Sequence, residues 1–251
     1  MLCRTSDRSA DGARGALALA RELGKRLDLE PRVIGSPGDP RDSHWEEDLR
    51  ESRGCLLEAG GQIDDALAGN RWPMLLAGDC SICLTTIPAV LRHEPEAVIL
   101  WLDAHADFNT PETTPSQFLG GMCLSGACGL WETGFDGPRL EPAKIVMCGV
   151  RDVDGGERVL LDTRGVVRVT RPSMLASHLR GMRVFVHLDL DVLDPTVLPA
   201  HFPAEGGLSD GGLRLLLAEV AEMCEIVGAE ITCASADHAE MLGMVVEPLV
   251  G

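Results

Sequence analysis

The clearest pattern in the chain is Ala97-Val-Ile-Leu-Trp-Leu102, six residues without a polar interruption, followed at once by Asp103. Strands with one wet face alternate apolar and polar positions, so this unbroken run predicts a strand covered on both faces. Similar short runs predict strands at 74–77, 144–148, 166–169, 184–188 and 227–232. Between them, apolar positions recur three and four apart, the spacing of one helix face. They predict a helix from a cap at Ser9 or Asp11 to about Leu23, where Gly24 supplies a stop, and others at 45–67, 81–92, 209–223 and 237–249. Strands alternating with helices predict an α/β fold, three layers deep (αβα), around a mostly parallel sheet. Residues 107–121 show no periodicity, and long irregular segments of compact domains are commonly functional. No internal repeat or low-complexity tract divides the sequence, so 1–251 reads as a single domain.

Charge narrows the candidate partners. A formal net charge of −17 argues against nucleic acid and against an anionic membrane surface. A solvated acidic surface accounts for most of it, and aspartates placed on divalent cations would cancel some. The longest apolar stretch near the N-terminus, 16–20, is too short for a signal peptide and runs into Arg21, Glu22 and Lys25. No segment approaches the ~20 apolar residues of a membrane helix. Nine cysteines, an odd number without framework spacing, predict reduced thiols in a cytoplasm. With no tyrosine and five phenylalanines, the core must rest on Leu, Val, Ile and Ala.

Candidate chemistry clusters where predicted strands end. Asp103, His105 and Asp107 alternate along the chain at the exit of 97–102, so in extended backbone they point to one side. Asp189 and Asp191 repeat the pattern after 184–188, and Gly78-Asp79-Cys80-Ser81 follows 74–77. Open α/β sheets bind ligands at the carboxyl ends of their strands. Carboxylates crowded at the edge of an apolar core are costly unless cations neutralise them. One Asp-x-His-x-Asp alone is as readily a polar turn, but three such stretches together favour a cluster of two metal ions and hence a hydrolase. Cys80-Ser-Ile-Cys83 also has redox-motif spacing, which leaves a thiol redox protein as a further reading.

At these residues the chain resembles the ureohydrolase superfamily of arginases, agmatinases and their relatives, from about residue 74 to 237. The likeness is densest over 103–121, which opens Asp103-Ala-His-Ala-Asp-Phe-Asn-Thr-Pro111. It implies an arginase-like fold and two divalent ions, manganese by habit of the family. By the same likeness Cys80, Asp103, Asp107 and Asp189 would hold one ion. His105, Asp103, Asp189 and Asp191 would hold the other. Two cations make water nucleophilic near neutral pH, and Asp107 and Asp194 would serve catalysis, Asp194 by orienting that water. Asp152, Asp154 and Glu157 match a segment that holds a substrate α-amino group, although a solvated acidic turn would look the same. Asn109, Thr114 and Ser116 match positions that hold its α-carboxylate. The implied partner is a small guanidino amino acid; self-association is compatible, since relatives form trimers and hexamers.

Four positions depart from the family pattern. Cys80 stands where a histidine is usual, Gly120 replaces a proton-shuttling histidine, Phe118 an asparagine, and Cys233 a late glutamate that pairs with the guanidinium. Glu230 is left without a role. A thiolate adds negative charge and softness, moving metal preference towards zinc or iron. Losing the guanidinium's carboxylate partner should cost a fully charged guanidinium roughly 1.5–3 kcal/mol. A less basic hydroxyguanidine suffers less. The departures therefore point away from an ordinary arginase, and the chain resembles instead the cycloserine-pathway branch of the family, whose activity, cleavage of Nω-hydroxy-L-arginine to hydroxyurea and L-ornithine, the resemblance implies. That branch shares the cysteine, the run 108–114, Leu119-Gly-Gly-Met122 and the segment 124–131. The alternatives are an inactive binding or regulatory descendant, supported by Gly120 and Cys233, and a hydrolase of another guanidino compound.

Overall fold

The computed structural model describes residues 5–36 and 39–250. Its centre is a sheet that, among the described residues, has six strands, all parallel, in the order β1-β6-β5-β2-β3-β4. These are β1 Met74–Leu76, β2 Val98–Leu102, β3 Ile145–Cys148, β4 Val167–Val169, β5 Arg183–Asp189 and β6 Glu225–Thr232. Every predicted strand is present. The helices are α1 Ala10–Leu27, α2 Trp45–Ala68, α3 Cys83–His93, α4 Cys123–Ala127, α5 Gly155–Arg164, α6 Ala176–Leu179, α7 Asp210–Met223 and α8 Ala239–Val246.

Alternation along each strand builds two cores. Ile99, Trp101, Met147 and Phe185 face α2, α3 and α4. Leu100, Leu102, Val146, Val186 and Leu188 face α1, α7 and α8. The central strands are thus covered on both sides, the three-layer arrangement expected of uninterrupted apolar runs.

Boundaries moved where local chemistry outweighed the simple signal. α1 starts at its Ser9 cap, whose hydroxyl accepts from Asp11 N at 3.0 Å, but it runs a turn past Gly24 to Asp28, which closes it at φ 54°. Gly24 is instead where the chain folds back: a Cβ there would lie 2.6 Å from Leu29 O. The helix predicted from 81 opens as a tight turn, Cys80–Ile82, before α3. The closing helix shortens to α8 between two such turns, with Pro248 in the second. α5 was not predicted, because Gly155-Gly156 hides its start. Its signal is the capping box of Asp154 and Glu157. Of the described cysteines, Cys80, Cys83, Cys123, Cys128, Cys148, Cys224 and Cys233 are free thiols. Cys55 departs from the expectation, being disulfide-bonded. No described helix is long and apolar enough to cross a membrane.

Candidate metal centre

Strand register places the functional side chains in two rows. Trp101 pairs with His187 and His187 with Glu230, so these three lie side by side across β2, β5 and β6. Two residues further along, Asp189 pairs with Thr232, and Asp103 directly follows the pairing of Leu102 with Leu188. The upper row is therefore acidic and stands on a lower row made of an indole, an imidazole and a carboxylate. Both rows point to the α3 side of the sheet, at the carboxyl ends of the strands, where the chain leaves β2 and β5 and opens a crevice.

Short-range hydrogen bonds fix each ligand. Asp103 accepts from His105 N at 2.6 Å and from the Trp101 indole at 3.1 Å. Asp189 accepts from Asp191 N at 2.8 Å and from the Thr232 hydroxyl at 3.0 Å. Asp191 accepts from Ala104 N at 3.1 Å, and its other oxygen lies 3.0 Å from His105 Nδ1. Cys80 reaches the cluster from the turn ahead of α3, capped by Asp79, which accepts from Ser81 N at 2.8 Å. The Cys80 thiol donates to Asp189 at 2.9 Å. Asp107 turns in from the loop at φ 48°, a left-handed conformation that aspartate tolerates at a cost. Its carbonyl takes Leu124 N at the start of α4 at 3.1 Å.

All six expected ligands line one crevice. Among the described residues three groups are close enough to share an ion: Asp103, His105 and Asp191; Cys80, Asp189 and Cys233; and Cys80, Asp103 and His187; Asp107 falls in none of them. Their electrostatics fit a cation. Burial, then repulsion from Asp191, Asp107 and Asp189, pushes the Asp103 carboxyl well above the usual carboxylate range. Burial does the same to Asp107 and takes Asp189 to about 6. For His105, burial works downward, but hydrogen bonds to Asp103 and Asp191 outweigh it and lift it to about 12. For Asp191, burial works upward and His105 outweighs it, leaving the carboxyl low. Four buried carboxylates with one imidazolium between them lack positive charge. Hard oxygens, a nitrogen and a sulfur gathered on the floor of one crevice suit divalent ions.

The crevice encloses about 640 Å³, room for an amino-acid-sized ligand. Asn109, Ser116, Asp154 and Glu157 line it with the metal-site residues. Asn109 donates to Asp154 at 2.9 Å. Glu157 turns inward rather than to solvent, accepting from Phe108 N at 2.7 Å and Asp154 N at 3.2 Å, and burial raises it to about 7. Two predicted residues are placed elsewhere. Thr114 lies outside the lining, its hydroxyl accepting from Gln117 N at 3.1 Å. Asp194 is also outside, both oxygens spent on Thr196, Gly206 N and Gly207 N, which hold its carboxyl down at about 2.

Two departures in the loop are one packing event: the Phe118 ring fills the space beside Gly120, where a Cβ would meet it at 2.5 Å. Phe118 also lies under the Arg8 guanidinium, 4.9 Å from ring centroid to Cζ, and 5.3 Å from Phe202. The Cys80-x-x-Cys83 pair has none of the lowered, exposed thiol character of a redox site, since burial raises both thiols. Sequence reasoning missed His187, Thr232, Arg8 and the clamp made by Arg151. The signal for His187 was present, a histidine inside an otherwise apolar strand run.

Fold and crevice together define a three-layer α/β protein with an acidic, cation-ready site at the carboxyl ends of its strands. The sequence pattern of the arginase family matches residues 44–241. The Nω-hydroxy-L-arginine amidinohydrolase of Streptomyces lavendulae is 36% identical over 233 residues, covering 91% of this chain and 84% of that protein. Bacillus caldovelox arginase is 33% identical over 67% of this chain, which spans 62% of that enzyme. The crystal structure of Bacillus subtilis arginase superposes with a TM-score of 0.83 at 23% identity, over 99% of this chain and 95% of the other. The chain belongs to the arginase family, hydrolases of carbon–nitrogen bonds in linear amidines.

Proposed function

We propose that the chain hydrolyses Nω-hydroxy-L-arginine to hydroxyurea and L-ornithine with the help of two divalent ions. Cys80, Asp103, Asp107 and Asp189 would hold one ion, and His105, Asp103, Asp189 and Asp191 the other. Manganese is the family's metal, and the Cys80 sulfur widens the choice towards zinc or iron. When bound, the ions supply an acidified water and offset the negative charge that develops during attack. The water oxygen adds to the guanidino carbon, the bond from that carbon to the ornithine nitrogen breaks, and the departing amine takes a proton.

The chain's own residues orient the substrate. Asp154 at the α5 cap offers a carboxylate to an α-amino group, and Asn109 and Ser116 stand beside it for the α-carboxylate. Asp107, which enters the crevice from a left-handed turn, would accept a proton from the attacking water. Asp194 anchors the segment through 206–207 instead of touching the reacting atoms.

The observation that carries the choice of substrate is the pair Cys80 and Cys233, which meet beside Asp189 where a histidine and a glutamate are expected. Without that glutamate nothing at the position balances a guanidinium, while a neutral hydroxyguanidine needs no such partner. Metal-loaded protein should release hydroxyurea from Nω-hydroxyarginine faster than urea from arginine, agmatine or 4-guanidinobutyrate. Faster turnover of arginine would refute the assignment. Full metal loading with turnover of none would support the non-catalytic reading, which Gly120 and Cys233 favour.

A further inference from the structure

One ring nitrogen buried beside the central strands has no hydrogen-bond partner among the described residues. His187 is fully buried on β5, and its ring lies flat on Trp101, with centroids 3.5 Å apart and planes 1° from parallel. Its Nδ1 is 2.7 Å from Glu230 Oε1, and the other Glu230 oxygen takes the Thr86 hydroxyl of α3. Its Nε2, equally buried, has no hydrogen-bond partner among the described residues. Buried polar atoms are nearly always paired, so an orphan of this kind requires an explanation.

Position supplies one. A ring nitrogen of His187, the Cys80 sulfur and a carboxylate oxygen of Asp103 all lie within 4.8 Å of one another. Because Glu230 occupies Nδ1, the nitrogen left for that group is Nε2. A histidine that ligates a metal almost always gives its other N–H to a carboxylate or carbonyl, which fixes the tautomer and turns the lone pair towards the ion. Glu230 and His187 have that arrangement, stiffened by the Trp101 stack and by Thr86.

We propose that His187 Nε2 is a ligand of the ion beside Cys80, so that the imidazole missing at position 80 is supplied from β5. This rests on the two-cation reading above. It gives Glu230 a role as the residue that positions His187. It also accounts for a small side chain at 80, which leaves the lower row open to the ion.

The test loads the full chain with Mn²⁺ or Co²⁺ and measures stoichiometry, affinity and, by X-ray absorption of the Co²⁺ form, the number of imidazoles bound. Two imidazoles over two ions are expected, from His105 and His187. The double variant H187F/E230Q keeps a flat ring on Trp101 and leaves no lone buried carboxylate. It should hold one ion and bind the second about 100-fold more weakly, with one imidazole lost. E230Q alone should weaken that ion by about 10-fold to 100-fold. One imidazole in the wild type, or unchanged affinity in the double variant, would overturn the proposal. Should the double variant fail to fold, the wild-type imidazole count still decides. A wild type that binds neither metal removes the two-cation reading, and this inference with it, a result distinct from two ions held by one imidazole.

Discussion

Glu157→Gln tests whether the wall of the crevice is strained by a buried charge. The Glu157 carboxyl is 3% exposed and titrates at about 7, against 4.5 for an ordinary glutamate, chiefly because burial penalises its charged form. Between those values the folded protein keeps a proton that the unfolded chain has released. Stability therefore falls as pH rises from about 4.5 to 7 and stays lower beyond. A difference of about 2.5, at 1.36 kcal/mol for each, amounts to about 3 kcal/mol. Glutamine has nothing to titrate, so the stability of the variant relative to the wild type should climb by about 3 kcal/mol across that window. The climb would ride on a constant offset of about 1 kcal/mol, because an amide can accept from Phe108 N but presents N–H to Asp154 N. Urea unfolding of chelated protein at pH 4.5, 6 and 8 reads this directly. Only the difference between the two proteins counts, since Asp103, Asp107 and Asp189 titrate in both. For a chain of this length the relative change corresponds to roughly 6–12 °C in Tm. A wild-type-minus-variant difference that stays flat with pH would refute the argument.

Loading metal should release protons, because burial raises the Asp103 and Asp107 carboxyls and disfavours the charged forms that a cation requires; the heat of Mn²⁺ binding should change with buffer ionisation enthalpy. Gly120→His alone should destabilise by about 1–3 kcal/mol by driving into the Phe118 ring, whereas F118N/G120H should recover most of the loss in thermal unfolding. Asp194→Ala should lower stability by about 1–2 kcal/mol while leaving metal stoichiometry intact, since its carboxylate holds only Thr196, Gly206 and Gly207; loss of an ion would contradict that placement. Asp154→Asn should raise KM for Nω-hydroxyarginine about 10-fold or more with less effect on a substrate lacking the α-amino group, read from initial rates.

Much of this site was legible because strand periodicity and ligand chemistry point the same way. Asp103 and His105 could be placed together from spacing, and the uninterrupted run before them located the strand they follow, whereas Asp107 reaches the crevice through a left-handed turn that extended spacing does not foretell. Asp194 and Thr114 were misplaced for an identifiable reason. Likeness to a motif assigns a residue to a site without saying where its oxygens go, and here nearby backbone amides and hydroxyls claim them first. His187 and Glu230 stayed silent because their meaning depends on register. Only the pairing of β5 with β2 and β6 turns a polar residue in an apolar run into a neighbour of Asp103. α5 was missed because two glycines mask a helix that the Asp154 and Glu157 cap nonetheless starts.

Arg151 ties together segments that would otherwise move independently. Its guanidinium donates to the carbonyls of Gly149, Asp191, Val192 and Leu193, and to those of Ala204 and Glu205. One planar cation thereby rivets the exit of β3, the backbone of a metal-holding residue and the far end of the strip bearing His201 and Phe202 at the mouth of the crevice. Mouth and floor are consequently geared together: a molecule pressing on Phe202 also loads the peptide of Asp191. Arg8 ties the loop that carries Phe118 in a similar way, donating to the carbonyls of Ser43 and Ser116 while its guanidinium covers the Phe118 ring.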